Sequence, residues 1–105
     1  MHLNDFTLDH HALGAGVAAV GELSLRDPNK LVNHELARPD LVLFNAYGMP
    51  IKVIEYKTGV SQKKKARFQL KRAQEMLYSI FQEKPRMIYV CGTPNSGFKL
   101  EEILQ

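Results

Sequence analysis

Residues 38–57 read Arg-Pro-Asp-Leu-Val-Leu-Phe-Asn-Ala-Tyr-Gly-Met-Pro-Ile-Lys-Val-Ile-Glu-Tyr-Lys. The two apolar runs in this stretch, 41–44 and 51–57, predict two strands, and the turn-forming residues between them predict a hairpin loop. Asp40 opens the first run, and Glu55 lies near the end of the second. Because a hairpin folds the two runs back on each other, we expect these carboxylates to meet at one edge of a sheet.

Glu55 and Lys57 share a face of their strand, since alternate residues of a strand point to the same side. Two carboxylates and an ammonium at one sheet edge can hold a divalent metal next to a phosphate. Mg²⁺ suits this site, because it takes few protein carboxylates and keeps several waters, and we expect Mn²⁺ to replace it. We assign Asp40 and Glu55 as metal ligands, with the main-chain carbonyl of Tyr56 as an additional ligand.

In the cleavage of a phosphodiester, Lys57 beside a bound metal is expected to orient or help deprotonate the attacking water and to offset developing negative charge. Each of these residues also has a structural interpretation. An Asp after a Pro is often a turn former, and a Glu-x-Lys segment is often a solvated strand face with a weak ion pair. Their combination at hairpin spacing, followed by a basic helix, favours the metal site.

The rest of the chain predicts a mixed α/β architecture in one domain, 1–105. A long helix between two strands suits a right-handed crossover, so the sheet is expected to be mixed and flanked by helices. The apolar positions of that helix are Phe68, Leu70, Ala73, Leu77, Ile80 and Phe81. The other predicted elements are a helix over 8–20, a strand over 31–36, the long helix over 62–83, a strand over 87–91 and a helix over 100–104. Ser61 is the predicted N-cap of the long helix, and Pro85 ends it.

Composition bounds the class of protein. The chain is 45% hydrophobic and 24% charged, which is typical of a globular protein and argues against disorder. No apolar run approaches the roughly 18 residues of a membrane span, and the N-terminus lacks the pattern of a signal peptide. A single cysteine, Cys91, suggests a reducing compartment. We therefore expect an intracellular protein, cytoplasmic or nucleoid-associated, without a membrane partner.

Basic residues are concentrated on the long helix, although the net charge is only +3. A local basic patch favours a polyanion such as nucleic acid, and the alternative is an ordinary solvated helix face. The predicted nucleic-acid contacts are Lys63, Lys64, Lys65, Arg67, Lys71 and Arg72.

Pro39-Asp40 followed by Glu55-Tyr56-Lys57 resembles the PD-(D/E)xK nuclease superfamily. With their flanking residues, 38–57 look like the nuclease domain of type I restriction-enzyme R subunits, and 54–59 resemble the RecB-like nucleases. Both groups carry Gln-x-x-x-Tyr on the helix after the lysine, and Gln74-Glu-Met-Leu-Tyr78 fits this motif. The resemblance implies a restriction-endonuclease-like sandwich and a Mg²⁺-dependent deoxyribonuclease. It favours an endonuclease over an exonuclease, and the sequence does not decide between the two.

The resemblance also implies that Gln74 and Tyr78 face the metal site. Gln69 is a competing candidate for the glutamine of the motif, but it lacks a Tyr four residues later. An upstream acid usually completes such sites, and Glu22 is the first choice here, with Glu35 the second. Histidines serve as metal ligands in the viral cap-snatching endonucleases of this superfamily, which leaves an RNA-cleaving enzyme as an alternative. The histidines in question are His10, His11 and His34.

Other functions remain open. A non-catalytic nucleic-acid-binding module with the same fold is one, and an interaction protein with accidental motif residues is another. The chain has no motor motif, so target specificity must come from this small domain, from a homodimer or from a partner subunit.

Overall fold

The computed structural model describes residues 18–26 and 35–104. Between Lys57 and the helix the chain makes one turn of 3-10 helix, Val60–Gln62. The elements, in chain order, are β1 (Ala18–Gly21), β2 (Leu25–Arg26), β3 (Glu35–Ala37), β4 (Leu41–Phe44), β5 (Pro50–Lys57), α1 (Lys63–Phe81), β6 (Arg86–Thr93) and β7 (Gly97–Ile103).

Five strands form one mixed sheet in the order β1-β4-β5-β6-β7, and β2 pairs with β3 separately. Strands β5 and β6 are parallel, and the other pairs of the main sheet are antiparallel. Parallel neighbours need a crossover connection, which α1 provides. The predicted mixed α/β class is therefore confirmed for the described residues, among which α1 is the one α-helix.

Alternation along the strands sends side chains to two faces. On one face, Val42, Val53 and Met87 pack with a stripe of α1 that includes Leu70 and Leu77. On the other face a second buried cluster forms, made of Leu41, Leu43, Ile54, Ile88 and Val90. Strand β5 is the centre of both clusters. From Lys52 onward its odd positions, such as Val53, face the helix and its even positions face the other cluster, whereas Ile51 packs with the second cluster because the register shifts there.

The β4–β5 hairpin confirms the predicted strand pair, and its register contains one irregularity. Leu41 lies opposite Ile54 and Leu43 lies opposite Lys52, but Phe44 lies opposite Pro50. The extra residue on β5 is a β-bulge, and it lies between the loop and the end of the hairpin that carries the acids.

The helix differs from its predicted form. It begins at Lys63 after Gln62, which makes no side-chain cap hydrogen bond, so Ser61 is not the cap. It ends at Phe81, because Gln82 adopts a left-handed conformation and donates its main-chain N–H to the Tyr78 carbonyl. No helix of the described part of the chain is both long and apolar enough to cross a membrane.

Not every predicted apolar position of the helix lies in the core. The buried residues of the helix are Ala66, Leu70, Ala73, Gln74 and Leu77, and the apolar ones among them form the buried stripe. Phe68 is 67% exposed, because a residue two positions from Leu70 is turned away from the stripe. Ile80 is also exposed.

Two predicted elements were assigned the wrong type. The predicted C-terminal helix over 100–104 is strand β7, because antiparallel pairing with β6 overrides the helix preference of a Lys-Leu-Glu-Glu segment. Residues 18–20 of the predicted N-terminal helix belong to strand β1, and the rest of that prediction lies outside the described residues. Of the strand predicted over 31–36, the described residues 35–36 lie in β3.

Candidate active site

Asp40 and Glu55 are held together by two hydrogen bonds to main-chain groups. The Asp40 N–H donates to Glu55 Oε1 at 3.1 Å, and the Tyr56 N–H donates to Asp40 Oδ2 at 2.7 Å. The register that pairs Leu41 with Ile54 continues to Asp40 and Glu55, which are therefore cross-strand neighbours on one face. The backbone of each strand thus fixes the carboxyl group of the other.

These two hydrogen bonds use one oxygen of each carboxyl group. Asp40 Oδ1 has no hydrogen-bond partner among the described residues, and Glu55 Oε2 has only Lys57 near it. The Lys57 Nζ atom lies 3.9 Å from Glu55 Oε2, which is too long for a hydrogen bond. The predicted trio therefore meets at one sheet edge, with two carboxylate oxygens that remain available.

Glu55 is an unusually buried acid, with only 3% of its surface exposed. Burial and, after it, the nearby Asp40 carboxylate raise the pKa of Glu55 from 4.5 to about 7, while the hydrogen bond from the Asp40 N–H and the charge of Lys57 oppose the shift. The carboxylate form is therefore costly in the protein alone. A bound cation would favour it, which is the electrostatic condition expected of a metal ligand.

Two tyrosine hydroxyls fix the backbone around Lys57. Tyr56 donates its hydroxyl to the Gly92 carbonyl at 2.5 Å, and Tyr89 donates to the Gly59 carbonyl at 3.1 Å. The Tyr56 N–H points towards Asp40, and in a strand the C=O of the same residue points to the same edge. The Tyr56 carbonyl thus lies on the side of β5 that faces Asp40, as its predicted role as a metal ligand requires.

The two candidates for an upstream acid have different surroundings. Glu22 follows β1, and its main-chain N–H donates to the Asp40 carbonyl at 3.1 Å, so its backbone adjoins the acid pair. Its φ of 50° is left-handed, which is uncommon for a residue other than glycine. Glu35 instead accepts hydrogen bonds from Arg38 at 2.7 Å and Ser24 at 2.5 Å. Glu35 Oε2 is therefore committed to these partners, and Glu22 is the better placed of the two.

A cleft of about 420 Å³ opens beside Glu55, between the segment that precedes Asp40 and one face of α1. The helix side of the cleft is formed by residues three and four positions apart, which share a face. They are Lys65, Phe68, Gln69 and Arg72.

The six predicted nucleic-acid contacts fall into three groups. Lys65 and Arg72 line the cleft. Lys64, Arg67 and Lys71 are exposed on the adjoining helix surface. Lys63 is held by Glu101 of β7, with 2.5 Å between Nζ and Oε1.

Gln74 and Tyr78 do not reach this site. The buried Gln74 amide donates to the Pro85 carbonyl at 2.8 Å. Pro85 precedes Arg86, which is paired with Lys52, so it lies roughly 10 Å or more from Glu55 along the sheet at about 3.3 Å per residue. Tyr78 is about half exposed, and its ring lies 5.5 Å from Lys84 Nζ. Gln74 and Tyr78 therefore lie farther along the helix than the part that is level with Asp40 and Glu55.

We predict that Gln74→Leu destabilises the fold by about 1–3 kcal/mol, because the Pro85 carbonyl loses a buried partner. Chemical denaturation measures the loss, and nuclease assays normalised to folded protein should then match the parent chain. Loss of cleavage with unchanged stability would instead support Gln74 as a residue of the active site.

Gln69 lacks the Tyr that the motif requires four residues later, but it is the glutamine that lies in the cleft. Its side-chain Oε1 is buried without a hydrogen-bond partner among the described residues. The signal was present in the sequence, since Gln69 lies four residues after Lys65 and three before Arg72, on one helix face. His10, His11 and His34 lie outside the described residues.

Comparison of the chain with protein-family models, with curated proteins and with solved structures finds no match. Within residues 18–26 and 35–104, no group of three or more His, Cys, Asp or Glu side chains is gathered closely enough to hold a metal ion. A cation site here would therefore combine the two carboxylates with main-chain or water oxygens.

Proposed function

We propose that this chain is a metal-dependent nuclease that hydrolyses phosphodiester bonds of DNA, with Mg²⁺ as its cofactor and a restriction-endonuclease-like fold. The proposal rests above all on the two main-chain hydrogen bonds that hold the Asp40 and Glu55 carboxyl groups side by side. Glu55 is buried and Asp40 is half-buried, and two such adjacent acids destabilise a fold unless something binds them. Their retention at an accessible edge, next to Lys57, is explained by cation binding.

The donor set suits Mg²⁺ by its chemistry. Asp40 Oδ1, Glu55 Oε2 and the Tyr56 carbonyl are all hard oxygen donors. Mg²⁺ is commonly bound by one or two carboxylates, with waters and substrate phosphate completing its shell, so a third acidic side chain is not required. Glu22, whose backbone adjoins Asp40, is the candidate for an additional or water-mediated ligand.

In the proposed reaction, water attacks the phosphorus and releases a proton to solvent, one P–O ester bond breaks, and the leaving oxygen takes a proton from solvent. When bound, Mg²⁺ supplies Lewis acidity, which lowers the pKa of a water and offsets charge on phosphate oxygens. Lys57 Nζ holds the attacking water by a hydrogen bond and stabilises the charge that develops on the phosphate. Asp40 and Glu55 would hold the metal ion in a fixed position, because their own carboxyl groups are fixed by main-chain N–H groups.

The surface next to the cleft supports a nucleic-acid substrate. Lys64, Arg67 and Lys71 make no ion pair with any residue that the structure describes, and all three are exposed. They form a ridge beside the cleft that can follow a phosphate backbone. Such contacts add affinity with little dependence on base sequence.

One assay tests the proposal directly. The purified chain is incubated with circular and linear duplex DNA, single-stranded DNA and RNA, each with Mg²⁺, Mn²⁺ or EDTA. We expect DNA cleavage with either cation and none with EDTA. Absence of cleavage of every polymer with both cations would contradict the proposal, and cleavage restricted to RNA would favour a cap-snatching-type endonuclease.

The second candidate is a non-catalytic nucleic-acid-binding module, and the exposed basic ridge is the observation that favours it. This module would bind DNA with an affinity that falls steeply as salt rises, because phosphate contacts release counterions. Binding without cleavage in the same assay would distinguish it from the nuclease.

A further inference from the structure

Phe68 is a large aromatic side chain in an unusual place. It is 67% exposed on α1 and contributes to the wall of the cleft that Glu55 also lines. It lies on the helix face that carries Lys65 and Arg72, and a shallow depression beside it is lined by Lys71 and Arg72. Aromatic rings among basic side chains are the typical platform on which unpaired bases stack.

Gln69 adds an unpartnered polar atom to the same wall. Its buried Oε1 accepts no hydrogen bond from the described residues, and an unpaired buried acceptor carries a free-energy cost. Every nucleobase has an N–H donor on its Watson–Crick edge, so a base that enters the cleft can satisfy this acceptor. In a duplex those donors are already paired.

Apart from Glu55, which belongs to the acid pair, the charges of the cleft fit one phosphate. Glu35 and Arg38 neutralise each other, with their side-chain atoms 2.7 Å apart. Lys65 and Arg72 make no ion pair with the described residues and remain as positive charge. The volume of about 420 Å³ lies within the roughly 300–1,000 Å³ range of small-molecule sites, which is room for a nucleotide.

We propose that this cleft binds one unpaired nucleotide of a DNA strand, next to the bond that is cleaved. The base stacks on Phe68 and donates a hydrogen bond to Gln69 Oε1, and its phosphate lies between Lys65 and Arg72. The proposal rests on the nuclease function for the position of the cleft beside the chemistry. It makes the substrate a single strand, an end or a locally opened duplex, since a paired base cannot enter.

Binding measured in EDTA tests the cleft without cleavage. Fluorescence anisotropy compares a labelled short single strand with the matching duplex, for the parent chain and for Phe68→Leu, Phe68→Tyr and Tyr47→Leu. Tyr47 is the matched control, because its ring is 89% exposed on the β4–β5 loop, at the other end of the hairpin from Asp40.

We expect Phe68→Leu to weaken single-strand binding about 5- to 100-fold, the range found when stacking rings are removed, and to leave duplex binding nearly unchanged. Phe68→Tyr and Tyr47→Leu should bind as the parent does. A strand of abasic spacers, which keeps the phosphates, should bind the parent chain and Phe68→Leu equally. Because Phe68 is exposed, circular dichroism melts should show an unchanged fold.

Equal losses on duplex and single strand, or on the abasic and normal strands, would overturn the cleft proposal. So would parent-like binding by Phe68→Leu. The two proposals fail separately. Strong Phe68-dependent binding without cleavage by any cation would remove the nuclease and leave the cleft, whereas cleavage with parent-like binding by Phe68→Leu would do the reverse.

Discussion

Lys57→Ala is expected to lower the rate of DNA cleavage by about 10²–10³-fold or more, the loss seen when a single transition-state donor is removed. The Lys57 ammonium is the cationic group closest to the acid pair, 3.9 Å from Glu55 Oε2, so no other described side chain can replace it there. Single-turnover cleavage of single-stranded DNA with saturating Mg²⁺ measures the chemical step, and circular dichroism measures the fold.

Lys52→Ala is the matched control, because Lys52 lies on the same strand but on its opposite face, across from Arg86. It loses the same charge and should keep full activity. A Lys57→Ala protein that cleaves at the parent rate would remove Lys57 from the mechanism, whatever the behaviour of the control.

Glu55→Gln is expected to abolish measurable Mn²⁺ binding and, at the same time, to stabilise the metal-free protein. The amide keeps an oxygen that can accept the Asp40 N–H, so the local hydrogen bond survives. The substitution removes the buried charge that burial and Asp40 make costly. Loss of function with gain of stability is the signature of a residue retained for binding.

The sign of the pH dependence follows from the raised pKa of Glu55. The folded state holds its proton up to about pH 7, whereas the unfolded chain releases it near 4.5. The contribution of Glu55 to stability is therefore complete below pH 4.5 and declines as pH rises to about 7, by on the order of 2 kcal/mol. Glu55→Gln should match the parent at about pH 5 and exceed it at about pH 8.

Denaturant unfolding in EDTA at these two pH values measures the stability difference, and titration calorimetry measures Mn²⁺ binding. Glu75→Gln is the control, because Glu75 is an exposed acid of α1 away from the pair. Unchanged Mn²⁺ affinity in Glu55→Gln would contradict the metal site. A stability difference that is the same at both pH values would contradict the burial argument.

The part of the site that the sequence predicted is the part built from local pattern. The strands around Asp40 and Glu55 are apolar runs bounded by turn residues, and a hairpin between near neighbours has few alternative registers. The residue types of β7 did not predict its form, because its pairing with β6 supplies hydrogen bonds that propensity does not register.

The helix shows why motif spacing misplaced other residues. The four-residue spacing of Gln74 and Tyr78 places them on one face, but does not say how far along the sheet that face lies. At about 3.6 residues per turn, Gln74 is about one and a half turns beyond Gln69 and about two and a half turns beyond Lys65, both of which line the cleft. Phe68 is one of the apolar positions of the helix, but its angular position is off the buried stripe, and its side chain is exposed.

The bulge divides the hairpin into a part that tolerates changes in length and a part that does not tolerate a change of register. On its far side lies the turn around Tyr47, where changes in length can be absorbed by the extra residue of β5. On its near side, a slip of one position between Leu41 and Ile54 would set Tyr56 against Asp40 and send Glu55 to the opposite surface of the sheet. The alignment of the two strands, more than the identity of the surrounding side chains, keeps the carboxyl groups of Asp40 and Glu55 adjacent.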